Sequence, residues 1–154
     1  MSNVGAVLTL ACDDELFALP VERVQEILDL RPITRLPNAP SQLLGMIDVR
    51  GNGVAVADLR ALLGMSPTAD TEMSRIVVLW VQNGEDRTIV AFRADRVIEV
   101  TALDGDEMEP LPDAGLFNWR DRIITGIGRR NGDLVTVLDM DRMFDGLAPE
   151  LSAA

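Results

Sequence analysis

The most constraining feature of this 154-residue chain is that it repeats itself. Three segments of the first half recur in the same order in the second half, and the spacing between them grows through loop insertions. A repeat of this size predicts two similar units, each near the lower size at which a hydrophobic core can support itself. We therefore expect the two units to share a buried interface. The matching pairs are Val21–Ile27 with Ala94–Val100, Leu36–Ala39 with Leu111–Ala114, and Gly45–Asp58 with Gly126–Asp139.

Short β-like runs dominate both halves of the chain. Val4–Ala11 and Glu15–Pro20 indicate strands on either side of an Asp-Asp turn. Three further pairs of apolar runs enclose turns at Gly51–Gly53, Asn83–Gly84 and Asn131–Gly132, a pattern typical of β-hairpins because asparagine and glycine tolerate positive φ. The sequence therefore predicts an all-β fold of two similar small barrels. The few short helices are expected at Val21–Ile27, Leu59–Leu63 and Asp139–Phe144.

Missing residue types exclude much enzyme chemistry. The chain contains no histidine and no lysine, and Cys12 is its only cysteine. Without histidine, neither a Ser-His-Asp triad nor a histidine-ligated zinc site can form. Without lysine, there is no Schiff base and no P-loop lysine for nucleotide phosphates. The acidic run Asp104–Glu107 lacks the full calcium-loop pattern and indicates a solvated loop. We expect no catalytic residue, no cofactor and no metal.

The charge of the chain limits its partners. The net charge is −11 and arginine is the only basic residue type, which disfavours nucleic acid and anionic lipid because both bind cationic patches. No run approaches the roughly 18–20 consecutive apolar residues that cross a membrane. The first residues lack a signal-peptide pattern, and a single cysteine fits a reducing compartment. We therefore expect a cytoplasmic protein with no direct membrane insertion.

The segment Leu43–Arg60 carries the most specific pattern, in which a glycine, an Arg-Gly turn, a hydrophobic strand and Asp-Leu-Arg follow one another. Companion segments lie in order around it: Phe17–Ile27 before it, and Ala94–Val100, Ile124–Gly126 and Leu134–Asp139 after it. Together these motifs resemble the CheW-like domain family, and the resemblance covers residues 4–146. Each motif is unspecific alone, whereas their order and spacing are specific.

This resemblance implies a fold of two five-stranded β-barrels packed around a shared hydrophobic centre. Residues 4–146 would form one domain of two intertwined barrels, at residues 15–65 and 75–146, with the N-terminal strand packing at their junction. The resemblance also implies a non-enzymatic adaptor that couples chemoreceptors, the methyl-accepting chemotaxis proteins, to the histidine kinase CheA. Two alternatives stay open: a scaffold of a non-motility pathway such as surface sensing or pilus control, and, less favoured, a small acidic metal-dependent enzyme.

The implied partners are two proteins, and the free adaptor is expected to be a monomer. The cytoplasmic hairpin tip of a receptor would bind in a groove between the barrels, and the regulatory domain of the kinase would bind through barrel ends. The residues that match the receptor groove are Val24, Glu26, Ile27, Val49, Arg50 and Gly51. The residues expected to contact the kinase are Val97, Val100 and Leu103.

The Arg50 and Glu26 positions also allow purely structural interpretations. Arg50 fits a solvated hairpin arginine, and Glu26 recurs in the repeat as Glu99, which favours a structural role as much as a binding one. Arg50 corresponds to Asn131, so only the first half combines this glutamate with an arginine at the turn. Because their charges are opposite, we expect Arg50 and Glu26 to approach each other at the mouth of the groove.

Five other charged or apolar positions carry structural expectations. Val24 and Ile27 also fit core positions of the first unit. Asp58 precedes a predicted helix, where a carboxylate can cap unpaired backbone N–H groups, and its repeat partner Asp139 does the same. Arg93 lies inside a predicted strand and is costly there unless its head reaches water or a carboxylate.

The missing chemistry yields a first test. After incubation with ATP and its active kinase, the protein should incorporate no stoichiometric phosphate, because it has no histidine to accept one. Incorporation of radiolabelled phosphate measures this directly, with autophosphorylation of the kinase as the positive control. Stoichiometric labelling of the protein would contradict the adaptor interpretation.

Overall fold

The computed structural model describes residues 5–105, 108–109 and 123–145. These residues form ten β-strands, one 3-10 turn and two short α-helices. The strands are β1 (Ala6–Cys12), β2 (Glu15–Pro20), β3 (Val24–Asp29), β4 (Leu43–Val49), β5 (Asn52–Asp58), β6 (Arg75–Asn83), β7 (Asp86–Ala94), β8 (Arg96–Ala102), β9 (Ile124–Arg130) and β10 (Asp133–Leu138). The 3-10 turn is Val21–Arg23, and the helices are α1 (Leu59–Leu62) and α2 (Met140–Asp145).

Backbone hydrogen bonds assemble these strands into two five-stranded sheets. The first has the order β8-β1-β2-β10-β9, and we call it the terminal barrel. The second has the order β3-β6-β7-β5-β4, and we call it the central barrel. In each sheet one parallel pair, β2 with β10 or β7 with β5, joins antiparallel neighbours. The predicted all-β fold of two five-stranded units is confirmed.

The two halves of the chain exchange strands between the barrels. The first half gives β1 and β2 to the terminal barrel and β3 to β5 to the central barrel, while the second half does the reverse. The expected division at residues 15–65 and 75–146 therefore does not follow the sheets. Residues 24–94 supply the central barrel, and both ends of the chain supply the terminal one. The sequence repeat does not reveal this exchange. It gives the order of the strands along each half of the chain, and this order is the same whichever strands pair in the sheets.

Each sheet brings its two edges together. In the central barrel, Thr34 follows edge strand β3 and forms two backbone hydrogen bonds of 2.8 Å with Met46 of β4. Gly45 is required beside this contact, since its φ is 147° and a Cβ would lie 2.1 Å from the Thr34 carbonyl oxygen. In the terminal barrel, the Asp104 N–H after β8 donates to the Arg129 carbonyl of β9 at 2.7 Å.

The largest core cluster draws residues from both barrels, which confirms the predicted shared hydrophobic centre. Leu8 and Leu10 enter it from β1, and Leu79 and Phe92 enter it from the central barrel. Alternate side chains of β6 point into this centre and into the central-barrel interior, so its sequence is a continuous apolar run. Smaller clusters fill the barrel interiors: Ile47, Val49, Val54, Val56, Ile76, Val78 and Ala91 in the central barrel, and Val7, Ala18, Val135 and Val137 in the terminal barrel.

The three predicted hairpins are confirmed, but two of their turns are shifted. In the β4–β5 hairpin Val49 pairs with Asn52, so the turn is Arg50–Gly51. In the β6–β7 hairpin the pairing places the turn at Gly84–Glu85. The β9–β10 turn is Asn131–Gly132, as predicted. The first shift matters most, because it puts an arginine rather than a glycine at the first turn position.

The helix predicted at Val21–Ile27 is wrong. Only Val21–Arg23 is helical, as a 3-10 turn, and β3 begins at Val24. Along β3 the side chains alternate between half-buried and exposed, which is the period of a strand rather than a helix. The backbone of β3 also pairs with β6, and β-branched residues such as Val24 and Ile27 suit that paired environment.

The other two predicted helices are confirmed, and both begin after an aspartate cap. The Asp58 Oδ1 atom accepts the Arg60 N–H at 3.1 Å before α1. The Asp139 Oδ1 atom accepts the Arg142 N–H at 3.2 Å before α2. The predicted capping role of these two carboxylates is therefore confirmed.

A buried ionic network joins the barrels around Asp95, which alone separates β7 from β8. The Arg60 guanidinium, from α1, donates to Asp95 at 2.7 Å and to Asp13 of the β1–β2 turn at 2.9 Å. Arg60 is only 5% exposed and Arg93 only 4%. Because solvent screens such buried pairs weakly, the network is a substantial tie between the two barrels.

Arg93 reaches carboxylates, as its position inside β7 requires. Its Nη1 atom donates to Asp95 at 2.9 Å, its Nε atom donates to Asp70, and its Nη2 atom donates to the Ser74 hydroxyl at 3.3 Å. Burial alone would lower the pKa of Arg93, but the hydrogen bonds to Asp70 and Asp95 raise it above the usual value. The charged head therefore also ties down the loop between α1 and β6.

The variant Asp95→Asn tests this network. Burial opposes ionisation of Asp95, but hydrogen bonds from Arg93, the Asp13 amide and Arg60 hold its pKa below the usual value. Such a carboxylate stabilises the fold above its unfolded-state pKa of about 3.9. That contribution is lost as the pH falls through the lowered folded-state pKa. At pH 7 the variant should lower the free energy of unfolding by about 3 kcal/mol, since two buried guanidinium groups lose a shared partner.

Denaturant unfolding at neutral and acidic pH measures this effect. Asp29→Asn is the matched control, because the Asp29 side chain is 91% exposed and lies 3.5 Å from Arg75. That control should leave stability nearly unchanged. The stability of Asp95→Asn should also vary less with pH than that of the wild type. Equal effects of the two substitutions would contradict the role given to the network.

Candidate protein-interaction site

The turn between β4 and β5 holds an arginine in a conformation that glycine usually adopts. Arg50 and Gly51 have φ values of 52° and 85°, as a two-residue hairpin turn with matched twist requires. Asp48 supports the turn, since its Oδ1 atom accepts the Gly51 N–H at 2.8 Å. Arg31 donates to the Asp48 carbonyl at 3.1 Å. The turn therefore presents the Arg50 side chain from a defined point at the end of the central barrel.

Arg50 and Glu26 form a two-pronged ion pair, as predicted. The Nη1–Oε2 distance is 2.6 Å and the Nη2–Oε1 distance is 2.9 Å. Glu26 lies on edge strand β3, so the pair links that edge to the β4–β5 turn. The Arg50 side chain stays 77% exposed, whereas that of Glu26 is 21% exposed. The carboxylate thus supports the guanidinium from the barrel side, while the guanidinium faces solvent.

The terminal barrel contains a related ion pair. Glu99, the repeat partner of Glu26, lies 3.5 Å from the Arg130 Nη2 atom. Asn131 occupies the turn position of Arg50 and has the same positive φ, 53°. Both halves therefore pair this glutamate with an arginine of the hairpin. Only the first half places that arginine in the turn itself, where its side chain is more exposed, 77% against 31%.

The remaining residues matched to the receptor groove divide between packed and exposed positions. Val49 is buried in the central-barrel interior, and Val24 packs half-buried against the shared centre. Ile27 lies opposite Val77 of the shared centre but is 41% exposed. Gly51 has open space around it. Ile27 and Arg50 are thus the side chains of this set most available to a partner, and Val24 and Val49 support the strands beneath them.

The three residues expected to contact the kinase also differ in exposure. Val100, on edge strand β8, is 56% exposed. Val97 packs against the shared centre and Leu103 against the terminal-barrel interior. Leu103 fills space beside Gly128, where a Cβ would lie 2.6 Å from its Cδ1 atom. Of this set, Val100 is the side chain most available for contact with another protein.

Sequence reasoning missed the surroundings of Trp80, at the end of the central barrel. The guanidinium carbons of Arg23 and Arg87 lie 4.1 Å and 3.9 Å from its ring centroid. Its indole N–H donates to the Glu22 carbonyl at 3.2 Å. Cation–π contacts of this kind hold the arginines in place. The sequence signal was weak for two reasons. Arg23 is far from Trp80 along the chain, and Arg87 is separated from Trp80 by the β6–β7 turn.

Asp104 anchors the β9–β10 turn. Its carboxylate accepts the Gly132 N–H at 2.9 Å and the Asn131 N–H at 3.1 Å, and these two bonds lower the pKa of Asp104. Asp106 and Glu107, the rest of that acidic run, lie outside the described residues. Among the residues that are described, no group of three or more carboxylate or cysteine side chains could hold a metal ion. No helix in this part of the chain could span a membrane.

The fold is a double β-barrel, built of two five-stranded sheets that share one hydrophobic centre. The sequence profile of the CheW-like domain matches residues 6–148. The chain therefore belongs to the CheW-like domain family.

This chain is similar to known chemotaxis proteins. It is 28% identical over 131 residues to the chemotaxis protein CheW of Helicobacter pylori, covering 85% of this chain and 76% of that protein. It is 26% identical over 145 residues to the CheW of Rhizobium meliloti, covering 94% and 90%. The crystal structure of the scaffolding protein TtCheW from Thermoanaerobacter tengcongensis superposes with a TM-score of 0.76 at 22% identity, covering 94% and 88%, and has the same fold.

Proposed function

We propose that this protein is a non-catalytic cytoplasmic adaptor that couples chemoreceptors to a CheA-type histidine kinase, and that it is a monomer when free. Membership of the CheW-like domain family and the names of its chemotaxis relatives support this role. The observation that carries the proposal is the Arg50–Glu26 pair, in which an exposed guanidinium is held by a carboxylate at the edge of the central barrel. Such an arrangement is suited to binding rather than to catalysis.

The receptor surface of this proposal combines the Arg50 turn with edge strand β3. A guanidinium has five N–H donors, so Arg50 can bind Glu26 and still donate to a carboxylate or carbonyl group of a docked helix. Ile27 adds exposed apolar area on the same strand as Glu26. The receptor tip would be contacted by Glu26, Ile27 and Arg50, either directly or, for a residue such as Glu26, by way of the side chain that it holds. Val24, Val49 and Gly51 would fix the strand and turn that present them.

The variant Arg50→Glu tests the receptor surface. As an exposed pair, Arg50 and Glu26 should contribute only about 0.2–1 kcal/mol to folding, so the melting temperature should change little. Against a docked receptor, a charge-assisted contact left without its partner costs about 1.5–3 kcal/mol. Receptor binding should therefore weaken on the order of tenfold or more. Titration against a receptor fragment and against the kinase regulatory domain measures both affinities.

The matched control uses the related pair in the other barrel. Arg130→Glu removes the partner of Glu99, 3.5 Å away, in the same way. It should leave receptor binding near the wild-type value, because Arg130 lies in the terminal barrel. Equal losses for receptor and kinase in Arg50→Glu, or a large fall in its stability, would show that Arg50 is structural and that the groove assignment is wrong.

The kinase surface of this proposal lies on β8 of the terminal barrel. Val100 is exposed there, with Val97 and Leu103 packed beneath the strand. An interface of this kind is held mainly by apolar burial with polar edges, so moderate salt should not disrupt it. The apolar contact, rather than charge attraction, is expected to determine the affinity.

The variant Val100→Asp tests this surface, and the chain offers a matched control. Leu134, on β10 of the same barrel, is also 56% exposed, so Leu134→Asp introduces the same charge at equal exposure. Val100→Asp should weaken binding of the kinase regulatory domain on the order of tenfold, since burying an unpaired carboxylate is costly. Isothermal titration at low and physiological salt compares the two variants. Equal effects of both, or an affinity that collapses with salt, would contradict the assignment.

A further inference from the structure

The described chain passes between the barrels at two places, and a short helix contacts each crossing. The first crossing is the 3-10 turn Val21–Arg23, which leads from β2 of the terminal barrel into β3 of the central one. The second is Asp95, which leads from β7 of the central barrel back into β8 of the terminal one. Helix α1 reaches the second crossing through Arg60, and α2 reaches the first through Asp141.

The contacts at the first crossing match those of the Asp95 network in layout. The Arg23 guanidinium donates to the two oxygens of Asp141 at 2.5 Å and 3.0 Å. Asp141 Oδ1 also accepts the N–H of Gln82 on β6, at 2.7 Å. Helix α2 follows the last strand of the terminal barrel, yet its carboxylate holds a crossing residue and a strand of the central barrel. In the same way α1 follows a central strand and holds Asp95 and a terminal-barrel turn.

The two helix residues of these contacts occupy equivalent positions in the repeat but carry opposite charges. Arg60 and Asp141 are each the second residue after a helix-capping aspartate, Asp58 and Asp139. At one crossing the helix supplies the cation and the crossing supplies the anion. At the other crossing the helix supplies the anion, Asp141, and the crossing supplies the cation, Arg23. On the crossing side, Asp95 matches Glu22, the neighbour of Arg23 in the first half. Each short helix thus holds its crossing from the same helix position, with the charges exchanged.

We propose that these two ion pairs are clamps that fix the orientation of the barrels, and that the Arg23–Asp141 clamp is the adjustable one. The difference in burial distinguishes them. The Arg60 and Asp95 side chains are 6% and 18% exposed, whereas the Arg23 and Asp141 side chains are 21% and 33% exposed. A more buried, multiply bonded clamp costs more to open, whereas a partly solvated pair can exchange with water at modest cost.

The surroundings of the first clamp leave room for such movement. A cavity of about 210 Å³ adjoins it, lined in part by Pro20, Met140 and the two clamp residues. Arg23 also stacks on Trp80, which ties the crossing to the central barrel when the clamp opens. Residue 23 directly precedes β3, so the clamp determines where that edge strand sits relative to the terminal barrel.

Distances between the barrels measured by pulsed electron spin resonance test the proposal. Nitroxide labels at Glu85→Cys, in the β6–β7 turn, and at Asp133→Cys, the first residue of β10, report one exposed site of each barrel. Cys12 is fully buried and should not react. Asp141→Asn removes the charge but keeps an oxygen for the Gln82 N–H. In this variant the distance distribution should broaden by about twofold, as expected when a hinge loses a fixing contact. The experiment uses the full chain, and circular dichroism checks that each variant is folded.

Two further variants make the result specific to the clamp. Arg23→Gln should broaden the distribution as Asp141→Asn does, and the double variant should add nothing, because both changes remove one contact. Arg50→Gln, which breaks an ion pair inside the central barrel, should leave the distribution unchanged. Unchanged widths in the folded clamp variants, or additive broadening in the double variant, would overturn the proposal. No partner takes part in the measurement, so its outcome is independent of the proposed function.

Discussion

The structure depends on the exchange of strands between the two halves of the chain. Each barrel takes two strands from one half and three from the other, so neither can form without both. The exchange forces the chain across the interface at Arg23 and at Asp95, and it makes the largest hydrophobic cluster common to both barrels. Units this small would have marginal cores if separate. The shared centre and the ionic contacts at the crossings make them one body.

The exchange of strands also determines where the two proposed binding surfaces lie. Strand β3 begins directly after the first crossing and carries Glu26 and Ile27, and β8 begins directly after the second and carries Val100. Both are edge strands, equivalent in the repeat, and they belong to different barrels. The same kind of edge is thus present twice, with an exposed turn arginine beside one of the two only. A scaffold with two equivalent but chemically distinct edges can hold two different partners at a defined separation.

Much of the fold and of the candidate site could be predicted from the sequence, because these features depend on local rules. The hairpins followed from glycine-containing turns, the helix caps from Asp58 and Asp139, and the Arg50–Glu26 contact from opposite charges at matched motif positions. Strand exchange could not be predicted, since it depends on which strands pair across a long stretch of chain. The helix assigned to Val21–Ile27 failed for a related reason: pairing with β6 decides its conformation, and a short apolar run fits either period. The Asp95 network also unites residues distant in sequence.

The central claim is that two barrels held as one body bind two different proteins at the same time. Sedimentation velocity of the protein mixed with a receptor fragment and a kinase regulatory domain tests it most directly. The account predicts a ternary complex whose mass is the sum of one copy of each. The affinity for either partner should then be no weaker when the other is bound. Displacement of one partner by the other, with only binary complexes at any concentration, would contradict the account.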